Sequence, residues 1–239
     1  MKDRFIRELL IDWDQIPADS YLRRILALRS LEKMTFSHAV TLFAGENGTG
    51  KSTLLEGMAE ASGFNPEGGT KNFHFSTYDD VSELHSAMKL IRGTRRQRHG
   101  FFFRAESFFN VASAILNEYD DGYQPDYHAQ SHGESFLNFI QDAGSDGLYL
   151  MDEPEAALSP QRQLTLLLHI VKMAEKGAQF IIATHSPILL GIPDAQILAF
   201  EDTGIHPVAY EETESYKITK LFVENRERML GYLLEEDSE

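Results

Sequence analysis

The sequence predicts an α/β fold built on a mostly parallel sheet with helices on its faces, and three observations carry that expectation. Short apolar runs recur at Val40–Ala44, Phe101–Phe103, Leu148–Met151, Phe180–Ala183 and Ile197–Phe200, with helically spaced segments between them. The runs are continuous rather than alternating, the pattern of strands buried on both faces. The 239 residues, 42% of them hydrophobic, suffice for one large domain with an ordinary core, which excludes disorder and fibrous repeats.

Taken in chain order, Phe5 to Trp13 reads as an edge strand that opens a β-rich margin beside the parallel core. Val40–Ala44 runs into a glycine-rich turn, and Thr53 to Glu60 continues as helix. The stretch from about 63 to 145 is read as an inserted, partly helical subdomain within a single domain spanning residues 1–239. Its cues are Asn65-Pro66-Glu67-Gly68-Gly69, a basic cluster, and Asp120-Asp121-Gly122 followed by Pro125. A helix over Pro160 to Lys176 has Ser159 as its cap, Pro160 at its first position and Gly177 at its end. Its Leu164, Leu167, Leu168 and Val171 share one face and predict the buried side. Asp202-Thr203-Gly204 predicts a hairpin between two late strands, and Ile218 to Leu234 an amphipathic helix that closes the core before an acidic tail.

Composition narrows the function classes. Lys and Arg total 22 against 37 Asp and Glu, a formal charge of −15. That field repels nucleic-acid phosphate and anionic lipid, so nucleic acid is an unfavoured partner without a local basic patch. Zero cysteines exclude disulfides, thiol catalysis and cysteine-held metal centres. Apolar runs stay far below the ~18 residues of a membrane-spanning helix, and Arg7 and Glu8 interrupt the first one, so the expectation is a cytoplasmic chain with no integral membrane segment.

Residues 45–52 read Gly-Glu-Asn-Gly-Thr-Gly-Lys-Ser, which fits G-x-x-x-x-G-K-[ST]. Glycines let the backbone curl until consecutive N–H groups face phosphate oxygens, and the following helix adds the positive end of its dipole. Lys51 would then reach the β- and γ-phosphates and the Ser52 hydroxyl a magnesium ion. The predicted contacts of a nucleotide are Gly45, Asn47, Gly48, Thr49, Gly50, Lys51, Ser52 and Thr53.

Leu148–Met151 ends in Asp152-Glu153-Pro154, and Phe180–Ala183 ends in Thr184-His185-Ser186-Pro187. Ligands of such sheets bind beyond the carboxyl ends of strands, so these groups should gather beside the glycine-rich turn. Asp152 suits Mg²⁺, directly or through water; Glu153 is placed to polarise an attacking water, and His185 to sense or steady a γ-phosphate.

The ordered series Gly45–Ser52, Gln130-Ser131-His132-Gly133-Glu134, Asp152-Glu153-Pro154, Ala156–Ser159 and His185 resembles the Walker A, signature, Walker B, D-loop and switch-histidine series of ABC-type ATPases, including the SMC and RecF-like heads. Ser131 and Asp152 are 21 positions apart, room for one helix and a return to the sheet. The strings SHGESFL, DEPEAALSPQRQL and QFIIATHSPILL are more closely similar to a compact group of bacterial AAA-family ATPases with ABC-like motifs. This resemblance extends over most of the chain, including Phe101 to Asn110 and the N-terminal strand.

The resemblance implies a P-loop ABC-type core and Mg²⁺-dependent ATP hydrolysis. It also implies a head-to-tail homodimer in which Ser131, Gly133 and Glu134 would meet the γ-phosphate of the opposite subunit. Only the Ser and the second Gly of the usual signature are kept here, and Ser131 with Glu134 also reads as a helix capping box. No glutamine stands at the Q-loop, and Glu106 is the positional candidate for helping to hold Mg²⁺. Ser159 replaces the usual D-loop aspartate and reads equally as a helix cap. Trp13, Tyr21 and Phe36 all remain candidates for stacking on adenine. Arg92, Arg95, Arg96 and Arg98 are read first as a solvated helix end balancing acidic neighbours, the other readings being a nucleic-acid or partner contact, or an arginine reaching nucleotide across a dimer interface. What the ATP drives stays open between an unknown protein partner, a signalling or phage-defence switch with little turnover, a transporter and a DNA-maintenance complex.

Overall fold

The computed structural model describes residues 4–66, 68–69, 83–105, 137, 140, 144 and 146–236. Its strands are β1 (Ile6–Ile11), β2 (Lys33–Thr35), β3 (Val40–Ala44), β4 (Met88–Arg92), β5 (His99–Arg104), β6 (Gly147–Asp152), β7 (Gln179–Ala183), β8 (Gln196–Glu201) and β9 (Gly204–Pro207). Its helices are, in order, α1 (Lys51–Ala61), α2 (Leu84–Ala87), α3 (Pro160–Lys176), α4 (Pro187–Leu190), α5 (Glu214–Glu224) and α6 (Arg226–Glu236).

Six strands form the central sheet in the order β5-β6-β7-β3-β8-β9, parallel except for β9. Every residue of β3, β6 and β7 is buried, as continuous apolar runs require when both faces are covered. The hairpin at Asp202-Thr203-Gly204 adds β9 to the edge, pairing Glu201 with Gly204. Helix α1 packs on one face beneath a second, antiparallel sheet of order β2-β1-β4, and α3 packs on the opposite face. Strand β1 is therefore central in the small sheet and not an edge strand, because β4 pairs with the side that β2 leaves open. The described part of the 63–145 stretch supplies α2, β4 and β5, and β4 and β5 belong to the two sheets; residues 106–136 lie outside the described residues.

One buried side chain joins the sheets. Gln179, 1% exposed, accepts the N–H of Ile6 at 2.9 Å and donates to the Ile6 carbonyl at 2.8 Å. Gln179→Leu would strand both backbone groups in the core, and at ~1–3 kcal/mol for each buried polar group left unpaired the expected loss is about 2–4 kcal/mol, read as a lowered Tm.

Helix α3 begins and ends where the sequence places it, with Ser159 Oγ accepting the N–H of Arg162 and Gly177 left-handed at φ 115°. Its inward face is different: Leu166, Ile170 and Met173 are buried, whereas Leu164 and Leu168 are 52% and 58% exposed. Leu167 and Val171 lie at the margin. The C-terminal segment also departs from expectation. It is two helices broken at Asn225, with Ile218, Leu221, Val223, Tyr232, Leu233 and Leu234 exposed, so it does not close the core.

At the carboxyl end of α1, burial and the neighbouring Glu56 push Glu60 up to about 6 despite His85, whose Nδ1 lies 2.8 Å from Glu60 Oε2. The folded protein then holds this proton more tightly than the unfolded chain does. The resulting stability is complete below about 4.5 and is lost as pH rises through about 6. Glu60→Gln, which keeps an acceptor for His85, is expected to raise stability by about 1–2 kcal/mol at pH 7.5 and by nothing at pH 4.5, measured by denaturant titration at both values.

Candidate functional site

The glycine-rich turn follows β3 because two of its positions accept no side chain. A Cβ on Gly45, which has φ 139°, would lie 2.5 Å from the Phe200 carbonyl oxygen of the neighbouring β8. One on Gly50, at φ 94°, would lie 2.6 Å from Ile25 and 2.9 Å from Leu28. The left-handed Gly50 is also the N-cap of α1, so the turn delivers the chain directly into the helix whose free N–H groups face outward. Thr49 Oγ1 donates to the Glu46 carbonyl at 2.8 Å and holds the tip closed. Asn47 and Gly48 stand exposed at that tip, and Ser52 and Thr53 are half-buried in the first turn of α1.

Lys51 is 4% exposed and its ammonium donates to the carbonyls of Gly45 at 2.8 Å and Glu46 at 2.6 Å. Burial lowers its pKa, opposed by Glu153, Asp152, Glu155 and Glu46 around it. A cation in this position is the local exception to an acidic surface. An anionic ligand meets this ammonium and the α1 N-terminus rather than the overall −15 charge.

Strand order brings the other groups in. β6, which ends in Asp152, and β3 flank β7, whose continuation carries His185. Ser52 Oγ donates to Asp152 Oδ1 at 2.9 Å, across a hundred residues of sequence. A hydroxyl and a carboxylate converging there are hard oxygen donors of the type Mg²⁺ takes, so the residues present fit that ion. Glu153 adopts a left-handed conformation at φ 49° and ψ 51°, fixed by its N–H donating to the Ala183 carbonyl at 2.9 Å. Such a conformation costs a non-glycine residue about 1 kcal/mol or more, and strain of this kind concentrates at functional sites. Glu153 Oε1 lies 3.6 Å from His185 Nε2. Burial and then the Lys51 ammonium lower the His185 pKa, which favours the neutral imidazole.

The described motifs, Gly45–Ser52, Asp152-Glu153 and His185, thus stand together at adjacent strand ends. A family model described as "AAA domain, putative AbiEii toxin, Type IV TA system" matches residues 110–191. The galactose/methyl galactoside import ATP-binding protein MglA of Escherichia coli (strain K12) is 23% identical over 184 residues, 67% of this chain and 36% of that protein. The same protein of Haemophilus influenzae is 25% identical over 182 residues, again 67% of this chain and 36% of its own. Among solved structures, cbiO1 of Clostridium perfringens, part of the ABC transporter complex cbiONQ, aligns at a TM-score of 0.44 and 14% identity over 98% of this chain and 100% of that one. Over about two thirds of its length the chain is similar to these ATP-binding proteins. It spans 36% of the length of these MglA relatives.

Several of the residues expected at the site fall outside the described residues: Ser131, Gly133 and Glu134 of the signature series, and Glu106. Of the three aromatic candidates for adenine, Phe36 is buried at 2% exposure, which removes it. Trp13 donates to the Leu31 carbonyl at 2.9 Å and carries the Arg23 guanidinium 5.9 Å over its ring, so its role is structural. Tyr21 is 54% exposed on the segment whose Ile25 and Leu28 abut Gly50. Ser159 is the cap of α3.

The basic cluster runs from Arg92, the last residue of β4, through the loop to β5 and is not a helix end. Arg92 donates to the Ala61 carbonyl at 3.1 Å, and Arg95 donates to the Gly177 carbonyl at 2.8 Å, pairs with Asp146 and lies over the Phe5 ring. These two arginines secure the ends of α1 and α3. Two residues near the site were missed from sequence. Arg104 ends β5 in register with Asp152 and pairs with Glu56 at 3.1 Å, a position that strand-end reasoning identifies once β5 is extended by one residue. Glu155 carries no local pattern that singles it out, and its contacts are described below.

A cavity of about 820 Å³ opens beside the loop, bounded by Gly45, Thr49, His185, Phe200 and the start of α5. Its rim carries Glu46, Glu201, Asp202, Glu212 and Glu214, so it disfavours phosphate, which the α1 N-terminus and Lys51 attract. Among the described residues no helix is long and apolar enough to cross a membrane.

Proposed function

We propose that this chain is a cytoplasmic, Mg²⁺-dependent ATPase, and that ATP is bound by the loop from Gly45 to Thr53. The reading is carried by the Ser52–Asp152 hydrogen bond, which joins the loop to the acidic strand end beside a buried lysine. The phosphates lie on the backbone N–H groups of Asn47 to Ser52, and the Lys51 ammonium turns from the loop carbonyls to the β- and γ-phosphate oxygens. Ser52 and Asp152 would hold Mg²⁺, which neutralises charge developing on the transferred phosphoryl group. Glu153 orients or activates the water for in-line attack on the γ-phosphorus; the P–O bond to ADP breaks and phosphate leaves. His185, neutral and beside Glu153, donates or accepts at the γ-phosphate edge of the site.

Ser131, Gly133 and Glu134 would complete the site from a second copy, giving a head-to-tail homodimer around two ATP molecules that hydrolysis separates. The same proposal takes 1–239 as one domain, with the signature carried in the 63–145 stretch. Binding is tested by equilibrium titration with MgATP and assembly by light scattering of the Glu153→Gln protein. The expected result is saturable binding with a doubling of mass in ATP but not in ADP. A chain that binds neither nucleotide in the presence of Mg²⁺ would overturn the reading. The MglA relatives bear the words "import ATP-binding protein", which favours a second reading as the nucleotide-binding subunit of a transporter. Recovery of the tagged chain in a detergent-solubilised membrane complex tests it.

A further inference from the structure

The roles above leave unused the half-buried Glu155, which stands beside the site. Glu155 follows Pro154 in the 3-10 turn Pro154–Ala157, and its Oε1 accepts the N–H of His185 at 2.6 Å and that of Ser186 at 3.2 Å. The Ser186 N–H is shared with Thr184 Oγ1 at 3.0 Å, so the contact peculiar to Glu155 is the one to His185. Its Oε2 is buried and finds no hydrogen-bond partner among the described residues. A carboxylate accepting backbone N–H groups makes the stronger, charge-assisted type of bond, and burial strengthens it further.

A second path leaves the same peptide. Ser186 Oγ accepts the N–H groups of Ile188 and Leu189, both at 3.1 Å, and donates to Gln163 Oε1 at 2.6 Å. Gln163 in turn donates through Nε2 to the Leu158 carbonyl at 3.1 Å and through its backbone N–H to the Ser159 carbonyl at 2.9 Å. Residues 185 and 186 are therefore tied at two points to the segment 154–159 that follows Asp152 and Glu153. The imidazole of His185 lies 3.6 Å from Glu153 Oε1, so its position relative to that carboxylate depends on where this peptide is held.

We propose that Glu155 is a positioning residue that fixes the His185 backbone against the 154–159 segment, and that Gln163 completes the coupling through Ser186. Glu155 touches neither phosphate nor water in this scheme and acts through His185. The inference rests on the proposed ATPase reading. Because a displacement of about 1 Å at a reacting group can cost on the order of 100-fold, Glu155→Ala is expected to lower kcat by about 10- to 100-fold while KM for ATP stays within about threefold.

Glu155→Gln keeps an oxygen that accepts both N–H groups and is expected to recover at least about a third of wild-type kcat, since hydrogen-bond geometry is what it restores. Gln163→Ala is expected to give a smaller, few-fold loss in kcat with KM unchanged. The direct readout is the His185 amide proton in an NMR spectrum, shifted downfield in the wild type and in Glu155→Gln and returned upfield in Glu155→Ala. If Glu155→Ala does not fold, Glu155→Asp, which withdraws the carboxylate by one methylene, must show the same kcat loss. Wild-type kcat in the Ala or Asp variant, equal impairment of Ala and Gln variants, or an unshifted His185 amide would overturn the proposal. Failure of the ATPase reading looks different: the wild type itself would release no phosphate above Lys51→Ala, while the amide signal would still report whether Glu155 holds His185.

Discussion

Glu153→Gln is expected to slow steady-state phosphate release by at least about 100-fold while leaving ATP affinity within about threefold, measured by coupled phosphate assay and by titration with MgATP. The asymmetry follows from geometry. Glu153 follows β6 rather than belonging to the loop that would hold the phosphates, and its N–H donates to the Ala183 carbonyl with the residue in a left-handed conformation. The amide is nearly isosteric and preserves that backbone, so binding persists, but it cannot accept a proton from water. A variant with wild-type turnover would remove Glu153 from the chemistry. Equal loss of binding and turnover would instead make it part of the ligand cradle.

The second large effect is expected at Lys51. Its ammonium is buried among the loop carbonyls of Gly45 and Glu46, where burial already disfavours the charge. Lys51→Ala removes the single side-chain cation that the described loop presents to phosphate. Loss of a preorganised charge at the developing anion is worth about 10²- to 10³-fold in rate, so turnover should fall by at least that much, with a smaller loss in ATP affinity of about 10- to 100-fold. Thermal stability should change little, because the substitution also removes the desolvation of a buried ammonium. A collapse in Tm without a change in the turnover of the remaining folded protein would contradict this assignment.

Which features were legible in the sequence depends on where the constraint acts. The parallel strands could be read because burial on both faces demands continuous apolar runs, as in Leu148–Met151. The loop could be read because Gly45 and Gly50 are positions where a Cβ would collide with Phe200, Ile25 and Leu28, so the geometry is written in residue type. Helix α3 could be bounded because both caps are local. Its inward face could not, since Leu166, Ile170 and Met173 make a second apolar stripe beside Leu164 and Leu168, and only the sheet beneath decides between them.

From its own residues β1 reads as an edge strand, for a similar reason. Its partner β4 arrives only after α1 and α2, and nothing in Phe5 to Trp13 encodes that pairing. The C-terminal helices show the limit of amphipathicity as a signal, because an apolar face specifies burial without specifying what covers it. Glu155 was invisible because its function is defined by the backbone N–H of residue 185, thirty positions away. Asp152, Glu153 and His185 were accessible because strand ends of a parallel sheet converge by rule.

The central claim is that this loop, lysine and acidic strand end turn over ATP. Phosphate release by the purified wild-type chain, with MgATP in large excess and Lys51→Ala run in parallel, tests it most directly. The expected course is linear release well beyond one phosphate per chain in the wild type, halted by EDTA, with Lys51→Ala at the level of buffer. Wild-type release that does not rise above the Lys51→Ala trace, or that continues undiminished in EDTA, would contradict the account.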